Sequence, residues 1–203
     1  MTKIAVIGAS GRAGSEIVKE LSRRGHQVTG IARKPEAIAK LPGVTAKAGD
    51  AGDRAALAAL LKGHEVAVSA IHFLQSDAPT LIGAVKDGGV GRYIVVGGAG
   101  SLNAPGGGRL YDTPEFPDAY RSEARKGGVF LDLLRLESDL DWTLISPAAE
   151  IFEGERKGAY RTGRDDLVIG ADGSRISFAD YAIALVDEIE TPKHRKVRFT
   201  VGY

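Results

Sequence analysis

The chain of 203 residues carries 27 basic and 26 acidic side chains and no cysteine. Near-zero net charge leaves no overall field to draw it onto nucleic acid or a membrane surface, so a small-molecule partner is expected. The missing thiols exclude disulfides, thiolate nucleophiles and Cys-ligated metals, and no window reaches the roughly 18 apolar residues of a membrane span.

Met1-Thr2-Lys3 leads straight into an apolar run without a charged leader, which predicts a cytoplasmic protein. Short, nearly all-apolar runs at 4–7, 28–31, 44–48, 66–71, 93–96 and 142–145 read as strands. Between them, residues 12–24, 35–41, 54–61, 79–87 and 117–137 place apolar side chains at three- and four-residue spacing and read as crossover helices. Strands apolar on both faces belong in a parallel sheet layered with helices, so the predicted fold is α/β, a doubly wound parallel sheet. The pattern becomes irregular after Pro147 until a helix at 178–190 and a last strand at 197–201. One domain, 1–203, is expected, with a small irregular region near its C-terminal end. Substrate choice is expected in two long loops, 98–117 and 147–175.

The first strand ends in Gly8-Ala9-Ser10-Gly11-Arg12-Ala13-Gly14 and a helix follows. This is the Rossmann phosphate turn. Gly8 permits the tight turn, Gly11 leaves room for amides to reach a pyrophosphate, and Gly14 lets the helix pack against the strand. Gly8, Ser10, Gly11, Arg12 and Ala13 are therefore expected at the cofactor. An NAD site usually presents an acid about 20 residues beyond the motif, whereas Ile31-Ala32-Arg33-Lys34 presents two cations. With Arg12 as a third, they favour NADP(H) over NAD(H). Asp50, beside Ala51, either accepts from the adenine amino group or caps the helix before Arg54. Ser69, Ala70 and Ile71 end the fourth strand as small wall residues of the groove.

These residues resemble the atypical short-chain dehydrogenase/reductases, and more narrowly the NAD(P)H-flavin reductase-like group related to biliverdin-IXβ reductase. Further carriers of the resemblance are Val96-Gly97-Gly98-Ala99-Gly100-Ser101, the run from Asp112 to Pro117, Asp141-Trp142-Thr143-Leu144-Ile145-Ser146-Pro147-Ala148 and the run from Arg175 to Ala182. The resemblance implies a nicotinamide near Gly97, Gly98 and the Ser146-Pro147-Ala148 turn. The larger superfamily pairs a tyrosine with a lysine four residues on, but here Tyr120 is followed by Ala124. A phenol with a reference pKa of about 10 then has no fixed cation to ease proton loss, which disfavours alcohol and ketone chemistry.

A flavin or quinone takes hydride into a conjugated ring and can take its proton from solvent. The expected activity is therefore NAD(P)H-dependent transfer of hydride to a free flavin, quinone or similar acceptor. Flavin would be a substrate rather than a tightly bound group. Ser101 and Tyr120 are the candidate catalytic residues, able to hydrogen-bond the acceptor, with Tyr111 and His72 weaker. A non-catalytic NAD(P)-sensing regulator is the alternative, and a sugar-nucleotide epimerase or dehydratase relative the third reading. The four histidines show no metal spacing, so no metal is expected, and a monomer or homodimer is.

Overall fold

The computed structural model describes all 203 residues. The first six of the eight strands in the central sheet are β1 (Lys3–Ile7), β2 (Gln27–Ala32), β3 (Val44–Ala48), β4 (Val66–Ser69), β5 (Arg92–Val96) and β6 (Asp141–Ser146). Helices α1 (Arg12–Arg23), α2 (Arg54–Leu61), α3 (Ala78–Asp87) and α4 (Asp118–Arg135) connect them. Past β6 come β7 (Glu150–Phe152), β8 (Arg161–Gly163), β9 (Arg175–Ser177), α5 (Phe178–Glu190) and β10 (Val197–Gly202).

The sheet runs β3-β2-β1-β4-β5-β6-β10-β8, parallel throughout except for the antiparallel pair of β10 with β8. The order reverses between β1 and β4, so their carboxyl ends open a crevice, the expected ligand position in a doubly wound sheet. The strand residues divide between two cores. Ile4, Val6, Val28, Val68 and Ile145 pack with Ile17, Leu21, Tyr181 and Leu185 of α1 and α5. Ala5, Ile7, Ala67, Tyr93 and Leu144 pack with Leu57, Leu81, Phe130 and Leu134 of α2, α3 and α4. Burying both faces explains why these strands read as continuous apolar runs.

Three expectations need correction. The segment 35–41 is not a crossover helix but one 3-10 turn, Pro35–Ala37. Pro42 disfavours a helical Leu41, Ile38 is already extended, and its burial against the first core fixes the connection instead. Strand β3 is not buried on both faces, because it lies at the sheet edge with β2 as its sole neighbour and four of its five residues exposed. The region after Pro147 is more regular than its sequence. Strands β7 and β9 form a small parallel sheet of their own, and β8 extends the main sheet.

Candidate functional site

The crevice begins at the turn after β1. Gly8 sits at φ 83°, and a Cβ there would lie 2.6 Å from the Ala70 carbonyl oxygen, so only glycine lets the turn pass under the end of β4. The amides of Gly8 and Ala9 both donate to the Ile31 carbonyl, at 2.9 and 3.2 Å, which ties the turn to β2. Helices α2, α3 and α5 start with the side-chain caps Asp53, Asp77 and Ser177, whereas α1, at Gly11, and α4, at Pro117, have none, and of these two only α1 starts at the crevice. The first-turn amides of α1 are thereby left to a ligand at the positive end of the helix dipole, which suits a pyrophosphate. The fit to a dinucleotide rests on this uncapped start and on the space kept open at Gly8.

A cavity of about 250 Å³ continues from this turn, lined by Gly8, Ser10, Gly11, Arg33, Asp50 and Ala51 together with Ile7, Ile31, Ala32, Gly49, Ala70, Ile71, His72 and Gln75. Arg33 faces this cavity, but Lys34 lines no part of it and Arg12 lies 5.5 Å from the centre of the Phe178 ring, at the start of α5. The three cations do not converge as a single clamp. Asp50 accepts from the Gly52 amide at 2.9 Å, and the cap of α2 is Asp53, whose carboxylate accepts from Ala56 at 3.0 Å. The helix-cap alternative for Asp50 is thus overturned, and its carboxylate remains at the cavity wall.

Gly97, Gly98, Ser146, Pro147 and Ala148 come together where β5 and β6 end. The Gly97 amide donates to the Ile145 carbonyl at 2.8 Å, and the buried Ser146 hydroxyl donates to the Gly98 carbonyl at 3.0 Å. From below, the Tyr181 hydroxyl donates to the same Ile145 carbonyl at 2.7 Å, with burial pushing the phenol pKa up. Ser69 is buried at the end of β4.

The two acceptor candidates differ. Ser101 is 6% exposed and its hydroxyl accepts from Arg198 Nη1 at 3.1 Å. Tyr120 is 66% exposed in the first turn of α4 and makes no side-chain hydrogen bond. Ala124 packs beside Gly100. Tyr111 accepts from Arg109 at 2.8 Å. His72 lies 3.4 Å from Glu123, whose carboxylate accepts from the Phe73 and Leu74 amides at 2.7 and 2.9 Å. Ala70 and Ile71 line the cavity as expected, whereas the sequence reading missed Gln75 as a wall residue. Nothing marks a glutamine in a connection as facing a groove. No group of three His, Asp or Glu residues is arranged to hold a metal ion, and no helix is long and apolar enough to cross a membrane.

A parallel sheet with a switch point over a glycine turn and an uncapped helix defines a Rossmann dinucleotide-binding protein. Residues 8–189 match the NAD(P)H-binding family model, and the chain belongs to that family. It is 40% identical to YwnB, an uncharacterized protein of Bacillus subtilis, over 98% of this chain and 97% of YwnB. A Bacteroides thetaiotaomicron structure provisionally described as an epimerase superposes with a TM-score of 0.93 at 38% identity, over 100% of this chain and 97% of its own. A Streptococcus pneumoniae structure provisionally described as an NADH-flavin reductase superposes with a TM-score of 0.82 at 35% identity, over 100% and 99%.

Proposed function

We propose that the protein is an NADP(H)-dependent reductase that passes hydride to a free flavin, quinone or similar flat conjugated acceptor. The observation that carries this reading is a dinucleotide groove beside a helix, α4, that holds Ala124 where a proton-relay lysine would stand. The amides at the start of α1 bind the pyrophosphate, Arg33 binds the ribose 2′-phosphate, and Asp50 accepts from the adenine amino group. Ser69 and Ala70 form the wall, and Gly97, Gly98 and the Ser146-Pro147-Ala148 turn support the nicotinamide. The bound dinucleotide supplies the hydride. The protein supplies orientation, which is sufficient for an acceptor that delocalises the incoming charge.

The name of the Streptococcus relative agrees with a flavin acceptor. Epimerase chemistry, suggested by the name of the Bacteroides relative, takes a proton from a sugar hydroxyl as its carbon gives up hydride, and is ill served by a helix without the tyrosine-lysine pair. The test is oxidation of NADPH and NADH, followed by absorbance, with FMN, riboflavin, soluble quinones and a sugar nucleotide as acceptors. Turnover of a flavin or quinone above the uncatalysed rate, faster with NADPH, is expected. Oxidation indistinguishable from the protein-free control across the panel sinks the reading.

A further inference from the structure

Arg198 lies in β10 opposite Leu144 of β6, in the second core's layer of the sheet, and is only 5% exposed. Its donors reach two distant parts of the chain. Nη1 donates to the Ser101 carbonyl at 2.8 Å and to the Ser101 hydroxyl at 3.1 Å. Nε donates to Asp165 Oδ1 at 2.8 Å, and Nη2 donates to the same oxygen. Asp165 is also 3.8 Å from Arg135 of α4. Burial pulls the Arg198 pKa down and Asp165 pushes it back up, as expected of a charge kept inside only because it is paired.

The two parts it joins are the two long loops. Ser101 follows three residues after Gly98, on the loop that leaves the proposed nicotinamide floor, and Asp165 lies on the loop between β8 and β9. They also touch directly: the Asn103 amide donates to the Asp165 carbonyl at 2.8 Å, and its side chain donates to Asp166 at 3.1 Å. The first loop has its own anchor, because Arg121 of α4 donates to the carbonyls of Tyr111, Thr113 and Phe116. Arg198 is the buried side chain that ties both loops to the sheet at once.

We propose that Arg198 is a positioning residue for the acceptor, holding the first loop through Ser101 and the second through Asp165 so that the two behave as one rigid rim. Ser101 then serves the site through this tie. The acceptor part of the proposal rests on the reductase reading, whereas the tie between the loops stands on geometry alone. A buried guanidinium fork is suited to this, because its donors have fixed directions and a lysine cannot reproduce them.

The experiment compares the full-length parent with Arg198→Lys and Asp165→Asn by amide hydrogen exchange, NADPH fluorescence titration and steady-state kinetics with riboflavin and a soluble quinone. Amides of residues 98–113 and 161–170 are expected to exchange faster together in both variants. NADPH affinity is expected to stay within about twofold, and acceptor KM to rise about tenfold with kcat changed less than about threefold. Asp165→Asn keeps both Ser101 bonds and is the variant to read if Arg198→Lys fails to fold. Exchange that quickens in one loop without the other, or a lowered Tm with unchanged acceptor KM, overturns the proposal. A parent that reduces no acceptor defeats the reductase reading, while the exchange arm still decides the tie.

Discussion

A Cβ on Gly14 would lie 2.1 Å from the carbonyl oxygen of Gly8, well inside contact distance. The helix that is to hold a pyrophosphate is therefore pressed against the turn that presents it, and the crevice depends on one missing methyl group. Gly14→Ala forces α1 outward, and such overpacking costs about 1–3 kcal/mol. Because the shift also moves the amides of Arg12 and Ala13, NADPH affinity is expected to fall about tenfold or more. Urea unfolding followed by circular dichroism, together with NADPH fluorescence titration, checks both. Parental stability in this variant would show that the turn relaxes freely.

The placement of the cations ranks them. Arg33 faces the cavity, Lys34 does not, and Arg12 sits over Phe178. A hydrogen bond to a charged group contributes about 1.5–3 kcal/mol, so Arg33→Ala should weaken NADPH about 10- to 100-fold. NADH, which lacks the 2′-phosphate, should change little. Lys34→Ala should have a smaller effect on NADPH than Arg33→Ala. Titration of both nucleotides against both variants tests this order, and equal losses for NADH and NADPH in Arg33→Ala would remove Arg33 from phosphate recognition.

Glu20 of α1 is buried and receives Arg156 at 2.9 and 2.8 Å and Arg24 at 2.9 Å, which fastens the segment between β7 and β8 to the cofactor helix. The hydrogen bond from Arg156, followed by that from Arg24, holds the Glu20 pKa below its ordinary value of 4.5 against the opposing effect of burial. A group depressed in this way stabilises the fold above its unfolded pKa and loses that contribution as pH falls through the folded value. Glu20→Gln should therefore cost about 1–3 kcal/mol at neutral pH, with the gap to the parent closing below 4.5. Thermal melts across that range measure it; a constant gap at all pH values would assign the loss to packing rather than charge.

How much of this was legible follows from what each residue depends on. The glycine turn, the strands of the sheet and α2 and α5 depend on local pattern, so Gly8 to Gly14 and the run of buried strands could be read directly. Strand β3 was misread, although Thr45 and Lys47 alternate with its apolar residues as on a solvated face, and the strand order places it at the edge. The division among Arg12, Arg33 and Lys34 was hidden for a different reason: their number is a property of the sequence and their directions are set by tertiary neighbours such as Phe178. Arg198 carried no signal at all. A lone arginine in a terminal strand reads as solvent-facing, and its role comes from two loops that meet it from 97 and 33 residues away.

Tyr120 separates orientation from proton relay. Its hydroxyl is exposed and unbonded, and Ala124 stands four residues on in place of a lysine. Its contact with the acceptor is then that of a hydrogen-bond partner, a contribution of about 0.5–1.5 kcal/mol. Tyr120→Phe is then expected to raise acceptor KM about 2- to 10-fold and leave kcat unchanged. A relay tyrosine would instead contribute about 100- to 10,000-fold to the rate and give the pH profile of kcat a phenolic limb. Steady-state kinetics of the parent and Tyr120→Phe from pH 6 to about 10 distinguish these outcomes. Loss of kcat with disappearance of an alkaline limb would restore the relay that Ala124 argues against, and with it ketone and epimerase chemistry.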